Sequence, residues 1–427
     1  MSTPKIGYAG LTHLGLCSAI GAATRGHDIV AFSEDRALIA QIESGRLPVV
    51  EPGLDAAFAQ HRARLSFTAD IEAIAACDVV YVALDVPTDD SGRSDLTAIN
   101  AALARIMPAL GQRAVLVVLS QVPPGFTRQI GFDPARLYYQ VETLVFGRAL
   151  ERATQPERFI VGCANPAAPL PPAYRSFLES FGCPILPMRY ESAELAKIAI
   201  NCFLVASVST TNTLAELCER ISADWSEIAP ALRLDARIGP AAYLTPGLGI
   251  AGGNLERDLA TVIRLGEREG SATGVIGAYV EGSRHMKDWA YQVLRRIVLD
   301  TVKRPRLGVL GLAYKQDTHS TKNSAAIELI GRLRDVAVRV HDPVVPASAV
   351  PGTTGVAVAE AVADDADAVL LMTPWTVYRA LEPAALATRM RGRVVIDPYR
   401  LLDADKVAAA GLALYSIGRP PILPGRD

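Results

Sequence analysis

Cysteine is sparse in this chain and shows no paired spacing. Cys17, Cys77, Cys163, Cys183, Cys202 and Cys218 are scattered over 427 residues with no CxxC. That pattern excludes a disulfide framework, gives no zinc-binding signature and suits a reducing cytoplasm. An excess of charge is missing too. The 43 Lys and Arg stand against 45 Asp and Glu, so the composition favours neither nucleic acid nor an acidic surface as partner. No apolar run reads as long enough to span a membrane, and no leader-like segment opens the sequence. Short-period repeats and low-complexity tracts are absent. What remains is a chain with half its residues apolar, long enough for two or three domains with a sizeable core.

The most unusual stretch is 237–258, where Gly239, Gly247, Gly249, Gly252 and Gly253 crowd one loop. Glycine permits positive φ and close approach of backbone to a ligand. Such a loop can wrap a bulky polar substrate with its own N–H groups. Asn254, Arg257 and Asp258 add polar and charged side chains near one point. Taken alone, the stretch reads equally well as a solvated loop between two helices.

The start of the chain gives it context. Residues 5–9 read as a strand, Gly10-Leu11-Thr12-His13-Leu14-Gly15 opens a helix to about residue 25, and residues 29–32 read as a second strand. This is the βαβ start of a Rossmann unit, in which Gly10, Thr12, Leu14 and Gly15 surround a cofactor pyrophosphate at the helix N-terminus. The fingerprint departs from GxGxxG at Thr12, its middle glycine. The acid that holds the ribose hydroxyls is replaced by Ser33, followed by Glu34 and Asp35. Ser33 with Arg36 can admit the 2′-phosphate of NADP. Alternatively Glu34 or Asp35 replaces the acid, or dinucleotide affinity is weakened. The expected cofactor is NAD or NADP. Strands over 79–84 and 114–119 lead into Val86-Pro87-Thr88 and Ser120-Gln121-Val122-Pro123-Pro124-Gly125, at the sheet edge where open α/β sheets bind ligands.

The order Glu51-Pro52-Gly53-Leu54, Val86-Pro87-Thr88, Val122-Pro123-Pro124-Gly125 resembles the UDP-glucose/GDP-mannose dehydrogenase family. Residues 139–162, YQVETLVFGRALERATQPERFIVG, are similar to its YNPEFLREG…NPDRIVIG segment and align without a gap. The resemblance places Glu142 on the family's active-site glutamate and continues to Ile417-Gly418-Arg419. Residues 192–220 contain no Gly or Pro and read as one long helix, with Glu194, Lys197 and Asn201 on one face. The resemblance puts Lys197 and Asn201 at the substrate's reacting carbon. It implies a homodimer built on this helix, with Arg237 reaching the partner's substrate. It also implies that Pro87 and Thr88 line the cofactor, and Tyr243 and Gly252 the substrate.

The last third reads as a second α/β domain that, by resemblance, binds the nucleotide part of a nucleotide sugar. Ala313-Tyr314-Lys315 matches the family's substrate-contacting AFK. Lys322 stands for an arginine at the cofactor diphosphate; it keeps the charge and loses the planar fork. Asp397-Pro398-Tyr399-Arg400 departs from DGRN, with Tyr399 at the usual arginine. The expected architecture is α/β: two Rossmann-like domains, 1–187 and 301–427, joined by a central helical segment, 188–300.

The family ends the glycine-rich stretch in GGSCF-x-KD, and the corresponding run here ends Gly252-Gly253-Asn254-Leu255-Glu256-Arg257-Asp258. Asn254 replaces the nucleophilic cysteine; Asp258 is kept. Relatives oxidise a sugar alcohol to a carboxylate in two hydride transfers, the second from a thiohemiacetal. An amide nitrogen with a delocalised lone pair is a poor nucleophile and can only exchange hydrogen bonds. The first oxidation needs no thiol. Lys197, Asn201 and Asp258 match the groups that serve it, and Gln121 stands where relatives often carry a threonine that helps hold water. The expected reaction is therefore a two-electron one on a nucleotide-linked sugar, with Asn254 hydrogen-bonding the carbonyl or its hydrate. Two other readings stay open. One is transient oxidation for epimerisation or elimination. The other is a non-catalytic nucleotide-binding homologue, favoured by Thr12, Ser33, Asn254 and Tyr399. Glu142, Lys197, Asn201, Arg237 and Asp258 count against it, because a dead site has no need of buried charge.

Overall fold

The computed structural model describes residues 3–89 and 91–425 and divides into two compact units, with the boundary at Ile200 and Asn201. The first unit is built on eight strands: β1 (Ile6–Ala9), β2 (Ile29–Phe32), β3 (Leu65–Thr68), β4 (Val79–Val82), β5 (Val115–Val118), β6 (Leu137–Gln140), β7 (Phe159–Cys163) and β8 (Ile185–Arg189). The inner strands IGYA, VVYV and VLVV are buried at every residue, as continuous apolar runs must be when both sheet faces are covered. The order is β3-β2-β1-β4-β5-β6-β7-β8, parallel except for the antiparallel β6–β7 pair. Chain direction across the sheet reverses between β1 and β4, the switch point where such sheets bind nucleotides.

The helix His13–Thr24 follows β1 at once. A Cβ on Gly15 would lie 1.9 Å from the Gly10 carbonyl oxygen, so only glycine lets the helix begin this close to the strand.

The second unit holds the helices Trp225–Leu234, Asn254–Glu269 and Gly274–Leu294, then six strands: β9 (Arg306–Leu310), β10 (Ala337–His341), β11 (Thr354–Gly355), β12 (Ala368–Leu371), β13 (Val394–Ile396) and β14 (Ala413–Tyr415). Their order is β11-β10-β9-β12-β13-β14, and all pairs are parallel.

The helix Tyr190–Ile221 begins in the first unit and ends in the second. By length and composition it is apolar enough to cross a membrane, with 28% of its apolar window buried. This corrects the expectation that no apolar run is so long. Ser207, Thr211 and Asn212 interrupt the run and mask it. In the fold they hold the glycine-rich loop: Ser207 and Thr211 hydroxyls donate to the Tyr243 carbonyl at 3.0 and 3.1 Å, and Asn212 accepts the Gly247 N–H at 2.9 Å.

Candidate functional site

The turn after β1 is shaped for close approach. Gly10 has φ +102°, and a Cβ there would lie 2.9 Å from the Ala83 carbonyl oxygen. Thr12 occupies the N-cap position of the next helix, yet its side chain does not cap, and the first turn carries no acid. Its hydroxyl lies 3.3 Å from both the Ala83 carbonyl and the Asp85 carboxylate. The helix N-terminus therefore presents uncapped N–H groups and the positive end of its dipole, a fit for the pyrophosphate of a dinucleotide. Leu14 and Gly15 are buried behind it.

At the end of β2, the Ser33 hydroxyl accepts the Asp35 N–H at 3.3 Å. Asp35 itself caps the helix Arg36–Glu43, accepting from Ala37 and Leu38 N–H at 2.9 and 3.0 Å. Both bonds fall on its Oδ1, so one carboxylate oxygen serves the helix end. Glu34 pairs with Arg105 at 2.9 Å in solvent. Pro87 and Thr88 begin a loop closed by the Asp95 N–H on the Pro87 carbonyl at 2.8 Å and by a Thr88–Ser94 bridge.

Two residues beyond β6, Glu142 meets Lys197 of the long helix at 3.3 Å, and both side chains are largely buried. The segment after Glu142 is held from below by Glu51, which is 4% exposed. Glu51 accepts the N–H of Gly147 at 3.0 Å and of Ala149 at 3.3 Å, and meets His13 Nε2 at 2.7 Å. Glu51 is visible in the Glu-Pro-Gly-Leu motif, but its role as a tie between the His13–Thr24 helix and the segment after Glu142 is not.

Glu194 does not join Lys197 and Asn201 in one functional stripe. It is fully buried and accepts the Gly125 and Thr127 N–H groups at 2.6 and 2.8 Å. Burial pushes its carboxyl up, against the pull of those donors. It fixes the turn that follows the half-buried Gln121.

In the second unit, the helix Asn254–Glu269 starts directly after Gly253. Asn254 is its first residue and is exposed. One turn on, Asp258 is 1% exposed; it accepts from Asn201 Nδ2 at 2.6 Å and from Arg257 Nε at 3.2 Å. Gly252 has φ +97°, and a Cβ there would lie 3.0 Å from the Tyr314 ring. Its N–H donates to the Lys322 carbonyl at 3.0 Å. The Lys322 stem passes 3.5 Å from where a Gly253 Cβ would stand, and Lys315 Nζ lies 5.7 Å from the Tyr314 ring centre. The fold thus gathers Gly252, Tyr314, Lys315 and Lys322 near the start of this helix.

Arg237 stands apart, exposed and clamped by Asp235 at 2.6 and 2.9 Å. Tyr243 is half exposed. Tyr399 packs against Gly247, and its hydroxyl reaches the Met372 carbonyl at 3.4 Å; Arg400 turns instead to Asp224 at 2.8 Å.

Three models of one family match in succession: its NAD binding domain over residues 4–171, its central domain over 191–282 and its UDP binding domain over 308–404. The chain is 30% identical to the UDP-glucose 6-dehydrogenase TuaD of Bacillus subtilis, across 98% of this chain and 94% of that one. It is 29% identical to the UDP-glucose 6-dehydrogenase of Rhizobium meliloti, across 97% and 100%. It is also similar to the solved UDP-glucose dehydrogenase of Pyrobaculum islandicum, with a TM-score of 0.81, 28% identity and coverage of 94% and 95%. Matched in order through both sheets and the helices between them in sequence, this chain belongs to the UDP-glucose/GDP-mannose dehydrogenase family of NAD-dependent nucleotide-sugar oxidoreductases.

Proposed function

We propose that this protein interconverts an alcohol and a carbonyl on a nucleotide-linked sugar in one two-electron step. The observation that carries this is Asn254 at the place where the family motif has its cysteine. No other thiol takes over the task. Cys202 lies next to Asn201 in sequence, but it packs with Val205, Ile250 and Leu259. Burial, with the Asp258 carboxylate second, pushes its thiol up, away from the reactive thiolate.

When bound, the dinucleotide supplies the hydride acceptor. Gly10, Thr12, Leu14, Gly15, Ser33, Pro87 and Thr88 would hold it. Asn201 gives its amide N–H to Asp258, which leaves its carbonyl oxygen to orient the substrate hydroxyl. Lys197, one turn away on the same helix, offsets negative charge developing on that oxygen, and Glu142 keeps the lysine in position. The hydroxyl proton leaves to Asp258. Asn254 donates to the product carbonyl. Gly252, Tyr314 and Lys315 hold the nucleotide sugar. Arg237 and Tyr243, with exposed Phe203, Leu214, Leu217 and Ile221, belong to a homodimer face, and the three segments 1–187, 188–300 and 301–427 act as cofactor, dimer and nucleotide domains in the cytoplasm.

The test is stoichiometry. The purified protein, given NAD⁺ or NADP⁺ and UDP- or GDP-sugars, should reduce one dinucleotide per sugar and leave an aldehyde or ketone trappable by hydroxylamine. Two reduced dinucleotides per sugar with free acid would sink the proposal. Asn254→Cys should add the second reduction.

A further inference from the structure

The ribose of the adenosine half belongs where β2 ends. In an NAD-selective Rossmann unit a carboxylate there accepts both ribose hydroxyls and repels a 2′-phosphate. Here that place holds Ser33, a small hydroxyl. The two carboxylates next in sequence are both engaged. Asp35 sits on the N–H groups of Ala37 and Leu38, and Glu34 faces Arg105 at 2.9 Å. Arg36, the first residue of the capped helix, is exposed. Ser33 itself carries no charge, Arg105 pairs with one of the two neighbouring acids, and Arg36 follows the other in sequence. The Glu34–Arg105 pair is exposed at both partners, 55% and 59%. Such pairs are weak, so Arg105 is free to turn to a stronger anion. Guanidinium groups bind phosphate oxygens in pairs.

We infer that Ser33, Arg36 and Arg105 form a 2′-phosphate subsite, so that this chain binds NADP(H) more tightly than NAD(H). Ser33 donates its hydroxyl to the phosphate, and the two arginines supply the charge. Nothing in this step depends on Asn254 or on how many electrons the enzyme moves.

Calorimetry on the full chain with adenosine 2′,5′-bisphosphate and with 5′-AMP isolates the subsite, because the two probes differ only in the 2′-phosphate. The bisphosphate should bind tighter by roughly fivefold or more at low salt, with the advantage shrinking as salt rises. Ser33→Asp should reverse the order, and Arg36→Ala should erase the advantage while 5′-AMP affinity stays within about twofold; these magnitudes correspond to a single charge-assisted hydrogen bond. Circular dichroism melts confirm that each variant folds. Equal or weaker binding of the bisphosphate by the unaltered chain overturns the inference. So does an affinity ratio that neither substitution moves. Because the readout is binding, it stands or falls separately from the two-electron reading.

Discussion

The six strands of the second sheet repeat the order of the first six strands of the first sheet, and the two differ in the residue that comes after their second strand. After β2 stands Ser33; at the matching place after β10 stands Asp342. The Asp342 carboxylate folds back over the turn after β9. It accepts the Leu312 and Ala313 N–H groups at 2.7 and 3.0 Å and the Trp375 indole N–H at 3.0 Å. Burial pushes this carboxyl up, but the N–H groups of Val345, Ala313, Leu312 and Val344 outweigh that and hold it below the usual range. The second sheet therefore fills its own anion site with an internal carboxylate. The first leaves the equivalent turn uncapped for a ligand. Topology places a turn of backbone N–H groups at each switch point, and in the second sheet Asp342 already engages it.

The sharpest way to break this comparison is to crowd each turn. Gly15→Ala puts a Cβ 1.9 Å from the Gly10 oxygen, and Gly311→Ala puts one 2.4 Å from Thr373 Cβ at φ +97°. Each should cost about 3 kcal/mol or more of stability in urea unfolding. Only the first should also abolish dinucleotide binding, read by fluorescence. Asp342→Ala should cost about 2–3 kcal/mol, since it strands buried donors, and should create no second dinucleotide site by calorimetry.

Glu219 provides a contrast to Asp342 within the second unit. Two Trp289 contacts at 3.1 Å and the Gly418 N–H at 3.2 Å do not offset its burial, which pushes the carboxyl from about 4.5 up to about 7. Between those values the folded protein holds the proton that the unfolded chain releases. Stability should therefore fall as pH rises through that window and level off above it. Glu219→Gln should remove on the order of 1–2 kcal/mol of that slope, measured by chemical denaturation at pH 5 and pH 8. The smallest effect belongs to Thr12→Gly. Thr12 caps nothing, so stability should change by less than about 1 kcal/mol, while dinucleotide affinity holds or rises a few-fold.

Much of the fold is legible in the chain because parallel strands leave apolar runs such as VVYV and VLVV between glycine and proline turns. Spacing singles out Gly10 and Gly15, which the structure places at the tight turn into the first helix. What escaped was partner choice. Glu194 shares a helical face with Lys197, but side-chain period says nothing of which loop lies opposite, and it binds backbone at Gly125 and Thr127. The apolar length of 190–221 was hidden by hydroxyls and amides whose work on the glycine-rich loop appears only once Tyr243 and Gly247 are in place. Asp35 illustrates the same gap: an acid close to the ribose position in sequence turns out to serve a helix end.

Glu51 receives His13 on one side and Gly147 and Ala149 on the other, so three distant stretches of sequence share a single anchor. None of the three can drift alone without loosening the other two. Across relatives, changes at these places should travel together. Damage at the anchor would disturb cofactor affinity and turnover at once, imitating the loss of a catalytic group from a residue assigned to neither the cofactor nor the sugar.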